Sequence, residues 1–426
     1  MRNLAALTVL LFSFTVSFSQ KTKIPPKNYP SLLWEITGKG LKKPSYLFGT
    51  MHVSSKMVFH LSDSFYLGIK NADVVALETD MGTWQDDFSR YDLEGSGYSY
   101  DYNLRRGYDG GDFFTIGTLQ FPPYEQLIEM ALYSSPAMIN SFLYRTNSDK
   151  AVDFEEDTYL DMHIYQAGRK WGKKVCGVEN FDRSMELMKE AYVDASKEKI
   201  KKERNYDYDG DFSYSKLEDA YRSGNLDLLD TINKVNSTSA AFDEKFLYKR
   251  NEIQANSIDS IIKTKQSLFV GVGAAHLPGQ RGVIELLRRK GYILRPIKIT
   301  ERDSKNKDEL EKIRVSVQFS KQTSKDGFFS VDLPGKLYDF NSAYGIVDQQ
   351  QFADMSNGAY YMVTRINTNS ILWGHNEDMV LKKIDSVIYE NVPGKILSKQ
   401  HYLNLPVLNV RFFTVISKQA VKTLVH

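Results

Sequence analysis

The chain has 426 residues, of which 42% are hydrophobic and 25% are charged, a composition typical of a folded globular protein and not of a disordered or fibrous one. Its 55 Lys and Arg nearly balance its 53 Asp and Glu, so no overall field favours a nucleic acid or an anionic membrane. The single cysteine, Cys176, excludes an intrachain disulfide framework, a cysteine-based zinc site and an iron–sulfur cluster. At ~100–200 residues per domain, the length suits one large and one smaller domain, or two of moderate size.

The first twenty residues predict export. Arg2 and the free amine precede an apolar run, Leu4–Phe18, and no acidic residue occurs before Glu35. The run has ~15 residues, fewer than the ~20 that span a bilayer, and its small-residue end is typical of a signal peptide, here 1–19. An uncleaved anchor is the alternative. Because no cysteine lies near the cleavage point, we predict a periplasmic or secreted protein with no lipoprotein anchor and no stable membrane span after cleavage.

In residues 32–300, apolar strands alternate with segments of helical periodicity. This pattern predicts an α/β domain with a central mixed or parallel sheet and a helical insertion. It follows a Pro-rich basic lead-in, residues 20–31, that we expect to be extended and disordered. Residues 82–115 predict a long surface excursion. The predicted strands are Leu32–Thr37, Ser45–Thr50, Asp73–Leu77, Lys174–Val178, Ser267–Val272 and Tyr292–Ile299. The predicted helices are Ser62–Asn71, Glu125–Tyr133, Phe154–Trp171, Arg183–Arg204, Tyr214–Asn233, Ser239–Lys263 and Gln280–Lys290.

A composition shift marks the predicted domain boundary. Nine of the thirteen residues from Thr300 to Lys312 are charged, which indicates a linker or a solvated helix end. Residues 313–426 then predict a small β-rich (α+β) C-terminal domain, because short β-favouring runs are separated by turn residues. These runs include Arg314–Phe319, Phe328–Pro334, Ala359–Arg365 and Val410–Ile416.

Four polar side chains lie just past the ends of predicted apolar strands of the α/β domain: His52, Glu78, Glu179 and His276. In an open α/β sheet, ligands and catalytic groups gather outside the carboxyl ends of the strands, so these four segments can deliver their side chains to one cleft. Two neutral histidines with one or two carboxylates form a ligand set for a divalent transition metal. The alternative for each glutamate is a solvent-facing position or a helix N-terminus.

The two histidines end the same local phrase, Gly49-Thr50-Met51-His52 and Gly273-Ala274-Ala275-His276. Glycine lets the backbone turn sharply and approach a ligand closely. A single Gly-x-x-His phrase is weak, and its histidine is often only hydrogen-bonded to the backbone; two such phrases after apolar strands, among seven histidines, favour a shared site. Four other histidines, His60, His163, His375 and His401, lie in no motif, and we predict structural or surface roles for them.

Arg250 and Asn251 end a helix-like stretch before the second histidine phrase. An arginine and an asparagine there can clamp a carboxylate or an oxyanion. A surface salt bridge is the ordinary alternative for the arginine.

Together, these motifs resemble the TraB/GumN family, which includes the Tiki-type metalloproteases of the Wnt pathway. The resemblance spans about residues 32–300 and does not cover 313–426. It is carried by Leu33-Trp34-Glu35-Ile36 with Ser45–His52, Ala76-Leu77-Glu78-Thr79-Asp80, Leu160-Asp161 with Ala167 and Gly172 to Glu179, Arg250-Asn251, and Val272–Leu277 through Gly282 to Tyr292. The segment 82–115 has no counterpart in this resemblance.

The resemblance implies an α/β core with a metal site built from the two Gly-x-x-His histidines and acidic residues. Carried onto this chain, the metal ligands are His52, His276, Glu78 and Asp161, and the ion is a divalent Mn, Co or Zn. The catalytic residues it implies are Glu78, Glu179, Arg250 and Asn251. The Tiki-type members imply metal-dependent peptide hydrolysis.

The leading prediction is therefore an exported metal-dependent hydrolase, most simply a peptidase acting on a peptide or small-molecule substrate and not on nucleic acid. A non-catalytic protein that binds a peptide or a signal on the same fold is an alternative. An esterase or lactonase is another, since related metal and histidine sites serve several reactions.

Overall fold

The computed structural model describes residues 28–51, 61–90, 160–198, 214–237, 239–298, 304–341, 347–357, 359–366, 395–402, 410–416 and 421–425. The predicted signal peptide, the predicted helix Glu125–Tyr133 and His52 lie outside these ranges. Across the described ranges, no helix combines the length and the apolar character needed to cross a membrane.

A six-stranded mixed sheet forms the centre of the α/β domain, in the order β4-β3-β5-β2-β1-β6. Its strands are β1 (Leu33–Thr37), β2 (Ser45–Thr50), β3 (Val74–Leu77), β4 (Lys174–Gly177), β5 (Leu268–Gly273) and β6 (Ile293–Ile297). Strands β4, β3, β5 and β2 are parallel, whereas β1 runs antiparallel to both of its neighbours. The predicted α/β fold with a mixed sheet is confirmed.

The central strands are apolar on both faces because both faces are covered. Every residue of β3 is buried, as are the first five residues of β5, the pattern of parallel strands inside an α/β sheet. The β1–β2 hairpin turns through Gly38 and Gly40, whose positive φ angles of 88° and 77° favour glycine.

Along the chain, the described helices of the α/β domain lie between these strands. They are α1 (Asp63–Asn71), α2 (Trp84–Arg90), α3 (Leu160–Lys170), α4 (Phe181–Lys197), α5 (Tyr214–Arg222), α6 (Leu226–Asn236), α7 (Ala240–Asp243), α8 (Arg250–Lys263) and α9 (Val283–Arg289). A 3₁₀ turn, Ala274–His276, follows β5 directly.

One long helix contains a change of hydrogen-bond spacing. Helix α7, a π-helical segment (Glu244–Lys249) and α8 run on without a break, because the junction residues keep right-handed helical φ and ψ angles. The predicted helix Ser239–Lys263 is therefore confirmed. Arg250 and Asn251 lie inside this continuous helix, directly after the π segment, and the expectation that they end a helix is wrong. Such π segments are frequent at functional sites.

The predicted disordered lead-in ends earlier than expected. The backbone N–H of Tyr29 donates to Asp227 Oδ2 at 2.8 Å and its hydroxyl donates to Glu285 at 3.1 Å. Ser31 is buried, and its hydroxyl donates to the carbonyl oxygen of Ile297 at 2.5 Å. Residues 28–31 therefore belong to the folded domain.

Two other local predictions are wrong. The predicted single helix Tyr214–Asn233 is two helices separated at Gly224, whose φ is +67°. The run Arg314–Phe319 forms no strand, and the strand there is Ser320–Thr323. Apolar periodicity continues across the turn at Gly224, and Arg314–Phe319 has the alternating pattern of a strand but no described partner strand. Of the predicted excursion 82–115, the described part contains helix α2, and residues 91–115 lie outside the described residues.

The charged stretch at the predicted boundary contains a helix that packs on the α/β domain. In α10 (Lys305–Lys312), Leu310 is buried, and Lys70 on α1 binds Glu309 at 2.6 Å. Asp63, at the start of α1, accepts hydrogen bonds from Ser304 at 2.7 Å and from Asn306. The chain beyond the sheet is thus attached to α1.

The described strands after α10 are antiparallel. They form the sheets β7-β8, β9-β10-β11 and β12-β13-β14. Their ranges are β7 (Ser320–Thr323), β8 (Ser330–Leu333), β9 (Tyr338–Asn341), β10 (Val347–Asp354), β11 (Ala359–Ile366), β12 (Lys395–Tyr402), β13 (Val410–Ile416) and β14 (Val421–Val425).

The packing of α3 against α1 predicts a loss of stability in acid. The Nε2 atom of His163 lies 3.3 Å from the hydroxyl of Tyr66, and burial lowers the pKa of His163 from 6.5 to about 4. Because the unfolded chain binds this proton below pH 6.5 and the folded chain does not, stability is full near pH 7 and falls as the pH drops toward 4. Between pH 7 and 4.5 we expect a loss of about 2 kcal/mol from this group.

The variant His163→Gln removes this titration and keeps a hydrogen-bonding group for Tyr66. Urea unfolding at a series of pH values should therefore show a flatter acid limb than in the wild type. Equal pH dependence in the two proteins would contradict the assignment.

Candidate active site

The carboxyl ends of three neighbouring strands meet at one edge of the sheet. Strand β3 lies between β4 and β5, and beyond their ends the N–H of Glu179 donates to the carbonyl oxygen of Glu78 at 2.7 Å. Strand β2 pairs with β5 so that Thr50 lies opposite Gly273. The chain segments that carry the predicted polar ligands therefore all leave the sheet at the same edge.

Glu179 is fully engaged in holding Arg250. Its side chain is 1% exposed and accepts from Arg250 Nε at 2.8 Å and from Arg250 Nη2 at 3.0 Å. Ser184 Oγ and Gln254 Nε2 each donate to it at 2.6 Å. Four donors thus surround one buried carboxylate, and the Arg250 guanidinium supplies two of them as charge-assisted hydrogen bonds.

Arg250 joins the two glutamates. Its Nη2 also donates to Glu78 Oε2 at 2.6 Å, and the arginine side chain is 11% exposed. Burial acts to lower the pKa of Arg250, but the charges and hydrogen bonds of Glu78 and Glu179 outweigh it and hold that pKa above its ordinary value. The arginine is thus a permanent buried cation, and the alternative of a surface salt bridge does not apply.

Glu78 lies between the arginine and the second histidine. Its Oε1 accepts the backbone N–H of Gly273 at 2.7 Å and lies 3.5 Å from Nε2 of His276. The first of these contacts fixes the carboxylate against the end of β5. The second is longer than an ordinary hydrogen bond, and it leaves the two atoms facing each other.

Asn251 sets the protonation pattern of His276. Its Nδ2 donates to the carbonyl oxygen of Arg281 at 2.9 Å, so its Oδ1 faces Nδ1 of His276 at 2.6 Å as an acceptor. The imidazole must then carry a proton on Nδ1, and in the neutral ring Nε2 is the unprotonated nitrogen. His276 is 5% exposed. The ring is therefore fixed with its Nε2 toward the Glu78 carboxylate.

The glycines of both histidine phrases are required by close packing. A Cβ on Gly273 would lie 3.1 Å from Glu78 Oε1 and 3.4 Å from the His276 ring. A Cβ on Gly49 would lie 3.2 Å from both Ala274 and Leu277. Each of these distances is short for a methyl group. Glycine at both positions therefore allows the first phrase, the second phrase and Glu78 to pack closely together.

The described donors fit part of a metal site. Two ligands that each lie ~2.1 Å from one tetrahedral ion are ~3.4 Å apart, close to the 3.5 Å between His276 Nε2 and Glu78 Oε1. The Nδ1 contact of His276 is the outer partner that metal-binding histidines usually have. No group of three or more potential ligands occurs within the ranges that the structure describes, and His52 lies outside them.

The structure brings together Glu78, Glu179, Arg250, Asn251 and His276.

Asp161 is buried in the first turn of α3 and lies close to Tyr221. Burial first, and then the charge of Asp161, raise the pKa of Tyr221 well above its ordinary value, and the Tyr221 hydroxyl donates to the carbonyl oxygen of Gly49 at 2.8 Å. Asp161 thus lies near the base of the first histidine phrase, and its role as a ligand stays a prediction.

Two residues of the site were missed from the sequence, Ser184 and Gln254. Gln254 follows Arg250 by four positions, the spacing that places two side chains on one helix face, and this signal was available. Ser184 follows Glu179 by five positions in the first turns of α4, a distance that carries no comparable pattern. Both side chains support Glu179.

The sequence of the domain that carries this site matches a known family. The sequence model of the TraB/PrgY/gumN family matches residues 32–296, more than half of the chain, and the protein belongs to this family. No curated protein matches the chain, and no solved structure does.

Proposed function

We propose that the protein is an exported metal-dependent hydrolase that acts on peptides. The observation that carries this proposal is the imidazole of His276, whose Nε2 lies 3.5 Å from Glu78 Oε1 while Asn251 holds Nδ1. A buried imidazole whose Nδ1 is fixed by an outer hydrogen-bond partner and whose Nε2 lies near a carboxylate is a typical metal ligand. Export is proposed from residues 1–20 of the sequence.

His276 and Glu78 would hold a divalent Mn, Co or Zn ion, with His52 as the predicted third ligand and Asp161 as a further candidate. When bound, such an ion lowers the pKa of water toward ~7 and polarises a substrate carbonyl group. The residues of the chain then provide orientation, charge and proton transfer.

Arg250 is suited to hold a substrate oxygen. Its Nε and Nη2 atoms are committed to Glu78 and Glu179, and Nη1 makes no hydrogen bond to any other described residue. Because both carboxylates fix the guanidinium group, Nη1 is a preorganised donor for a carbonyl oxygen or a developing oxyanion. Asn251 acts through His276, whose ring it orients.

Glu78 is the better candidate for accepting a proton. Its Oε1 accepts the N–H of Gly273 and faces the imidazole, whereas the Glu179 carboxylate is buried and surrounded by donors from Arg250, Ser184 and Gln254. A general base must lie within hydrogen-bond reach of the proton that it takes. We therefore assign proton transfer to Glu78 and the fixing of Arg250 to Glu179; a catalytic role of Glu179 stays a prediction.

Metal content is the direct test of the site. We expect about one ion per chain in purified residues 20–426 and a loss of that ion in His52→Ala and in His276→Ala, measured by elemental analysis after incubation with Mn, Co or Zn. Asn256→Ala, on the exposed side of α8, is the control and should keep the ion. Retention of the ion in both histidine variants would overturn the proposed site.

Turnover then separates the proposed hydrolase from its alternatives. Cleavage of peptides that requires the ion and disappears in His276→Ala would support the peptidase. Cleavage of esters or lactones alone would favour the small-molecule hydrolase. Stoichiometric peptide binding without turnover would favour the non-catalytic binding protein.

A further inference from the structure

A second cleft lies between the family-matched part of the chain and the C-terminal strands. It has a volume of about 370 Å³, within the usual range for a ligand site. Tyr165, Phe352 and Met355 supply its apolar wall, and Arg169 and Asp354 supply charges of both signs. We call this the hairpin cleft, because the β10–β11 hairpin forms one side of it.

The walls of the hairpin cleft are fixed to each other. Met355, in the turn after β10, is 4% exposed and joins the main hydrophobic core. Its carbonyl oxygen accepts from Gln166 Nε2 at 3.3 Å, and a hydrogen bond joins the side chains of Tyr165 and Ser356. The hairpin turn is thus held against α3, and the cleft is a built feature of the domain.

A further wall of the hairpin cleft is a backbone segment whose hydrogen-bonding groups have no partner among the described residues. Residues 315–318 line the cleft, and exposure alternates along Val315, Ser316, Val317 and Gln318, the period of an extended chain. The segment joins none of the sheets, and its backbone makes no hydrogen bond to any other residue that the structure describes. Extended backbone with free N–H and C=O groups is a template for a further strand.

We infer that the hairpin cleft binds an extended polypeptide segment, which adds a strand to residues 315–318. Backbone hydrogen bonds to this segment supply affinity, and alternate side chains of the ligand enter pockets, as in other strand-addition sites. The wall of Phe352 and Met355 accepts an apolar side chain. Arg169 and Asp354 favour an acidic and a basic side chain, respectively.

The inferred site lies beside the candidate active site in the chain. Gly82, four residues after Glu78, also lines the hairpin cleft. The inference deepens the proposed function, since it names extended polypeptide as the substrate class, and it rests on that function only in this respect. Binding in the cleft needs neither the metal nor the catalytic residues.

The test uses a fluorescein-labelled peptide, Asp-Val-Thr-Val-Thr-Lys, with blocked ends, and the full mature chain. We expect saturable anisotropy with the wild type. Two further peptides are N-methylated at every second residue, one in each register. Because only one edge of an added strand faces residues 315–318, one methylated peptide should bind about tenfold more weakly or worse, by loss of at least two hydrogen bonds, and the other as before.

Variants of the protein give the matched comparison. Val317→Pro removes a backbone N–H that has no partner among the described residues, so the fold should survive, checked by its melting temperature, while binding weakens about tenfold. Val317→Thr keeps the N–H and the shape and should bind as the wild type does. No saturable binding up to ~1 mM, or equal binding of both methylated peptides, would overturn the inference.

The outcome is separable from that of the proposed function. His276→Ala should bind the peptide normally. Normal register-dependent binding in a protein that holds no metal and cleaves nothing would sustain the inferred docking site and sink the proposed hydrolase. Metal-dependent cleavage by a protein whose peptide binding shows no register dependence would sustain the proposed hydrolase and overturn the inferred docking site.

Discussion

Arg250→Met is expected to lower the free energy of unfolding by about 3–5 kcal/mol, because it leaves Glu179 buried as a charge without a counter-ion. The Glu179 side chain is 1% exposed and loses two of its four donors, and Glu78 loses one. Methionine has a similar length and fills the space of the aliphatic stem, so loss of packing contributes little. Urea unfolding at pH 7 measures the effect.

Arg281→Met is the matched control. Arg281 forms a bidentate pair with Glu244 at 2.5 and 2.7 Å, but its side chain is 44% exposed, and exposed pairs contribute only about 0–1 kcal/mol. The double variant Arg250→Met/Glu179→Gln should recover part of the stability, since it also removes the buried carboxylate charge. An Arg250→Met loss no larger than that of the control would contradict the buried-cation assignment.

Asn251→Leu is expected to weaken metal binding by about 10- to 100-fold, the usual effect of removing the outer partner of a metal-binding histidine. Leucine branches at Cγ as asparagine does but forms no hydrogen bond, so Nδ1 of His276 and the carbonyl oxygen of Arg281 both lose their partner. The imidazole is then free to rotate or to change tautomer. Competition with a chelator of known affinity measures the change.

Asn256→Leu is the control for this prediction. Asn256 lies on the same helix, is exposed and accepts from Lys290 at 2.7 Å. We expect unchanged metal affinity in that variant. If Asn251→Leu also binds metal as the wild type does, Asn251 does not orient the ring, and the tautomer deduced from the Arg281 contact is wrong.

The edge of the sheet was predictable because strand ends are local signals. The buried run Val74–Leu77 stops at the charged Glu78, and the apolar run of β5 stops at Gly273, which begins the second histidine phrase. The position after the strand then follows from counting, which places Glu78, Glu179 and the second histidine phrase correctly. The α/β class follows from the same alternation of strands and helices.

The partners across the site were not predictable from local signals. The choice of Glu179 as the anchor of Arg250, and of Glu78 as the residue facing His276, depends on sheet order and on the angular position of α8. That position depends in turn on the π segment Glu244–Lys249. A π turn inserts one additional residue, so periodicity interpreted as one regular α-helix through this segment assigns the residues after it to the wrong face.

Because of the place of β5 in the sheet, the central sheet can form only after most of the α/β domain has been synthesised. Strand β5 lies between β2 and β3, although it follows both by about two hundred residues of chain. Until Leu268–Gly273 has been synthesised, β2 and β3 have no common neighbour and keep open, apolar edges that are prone to aggregation. Such distant pairing slows folding. Fragments that stop before residue 273 should therefore be insoluble, and a nascent chain needs protection until its last central strand arrives.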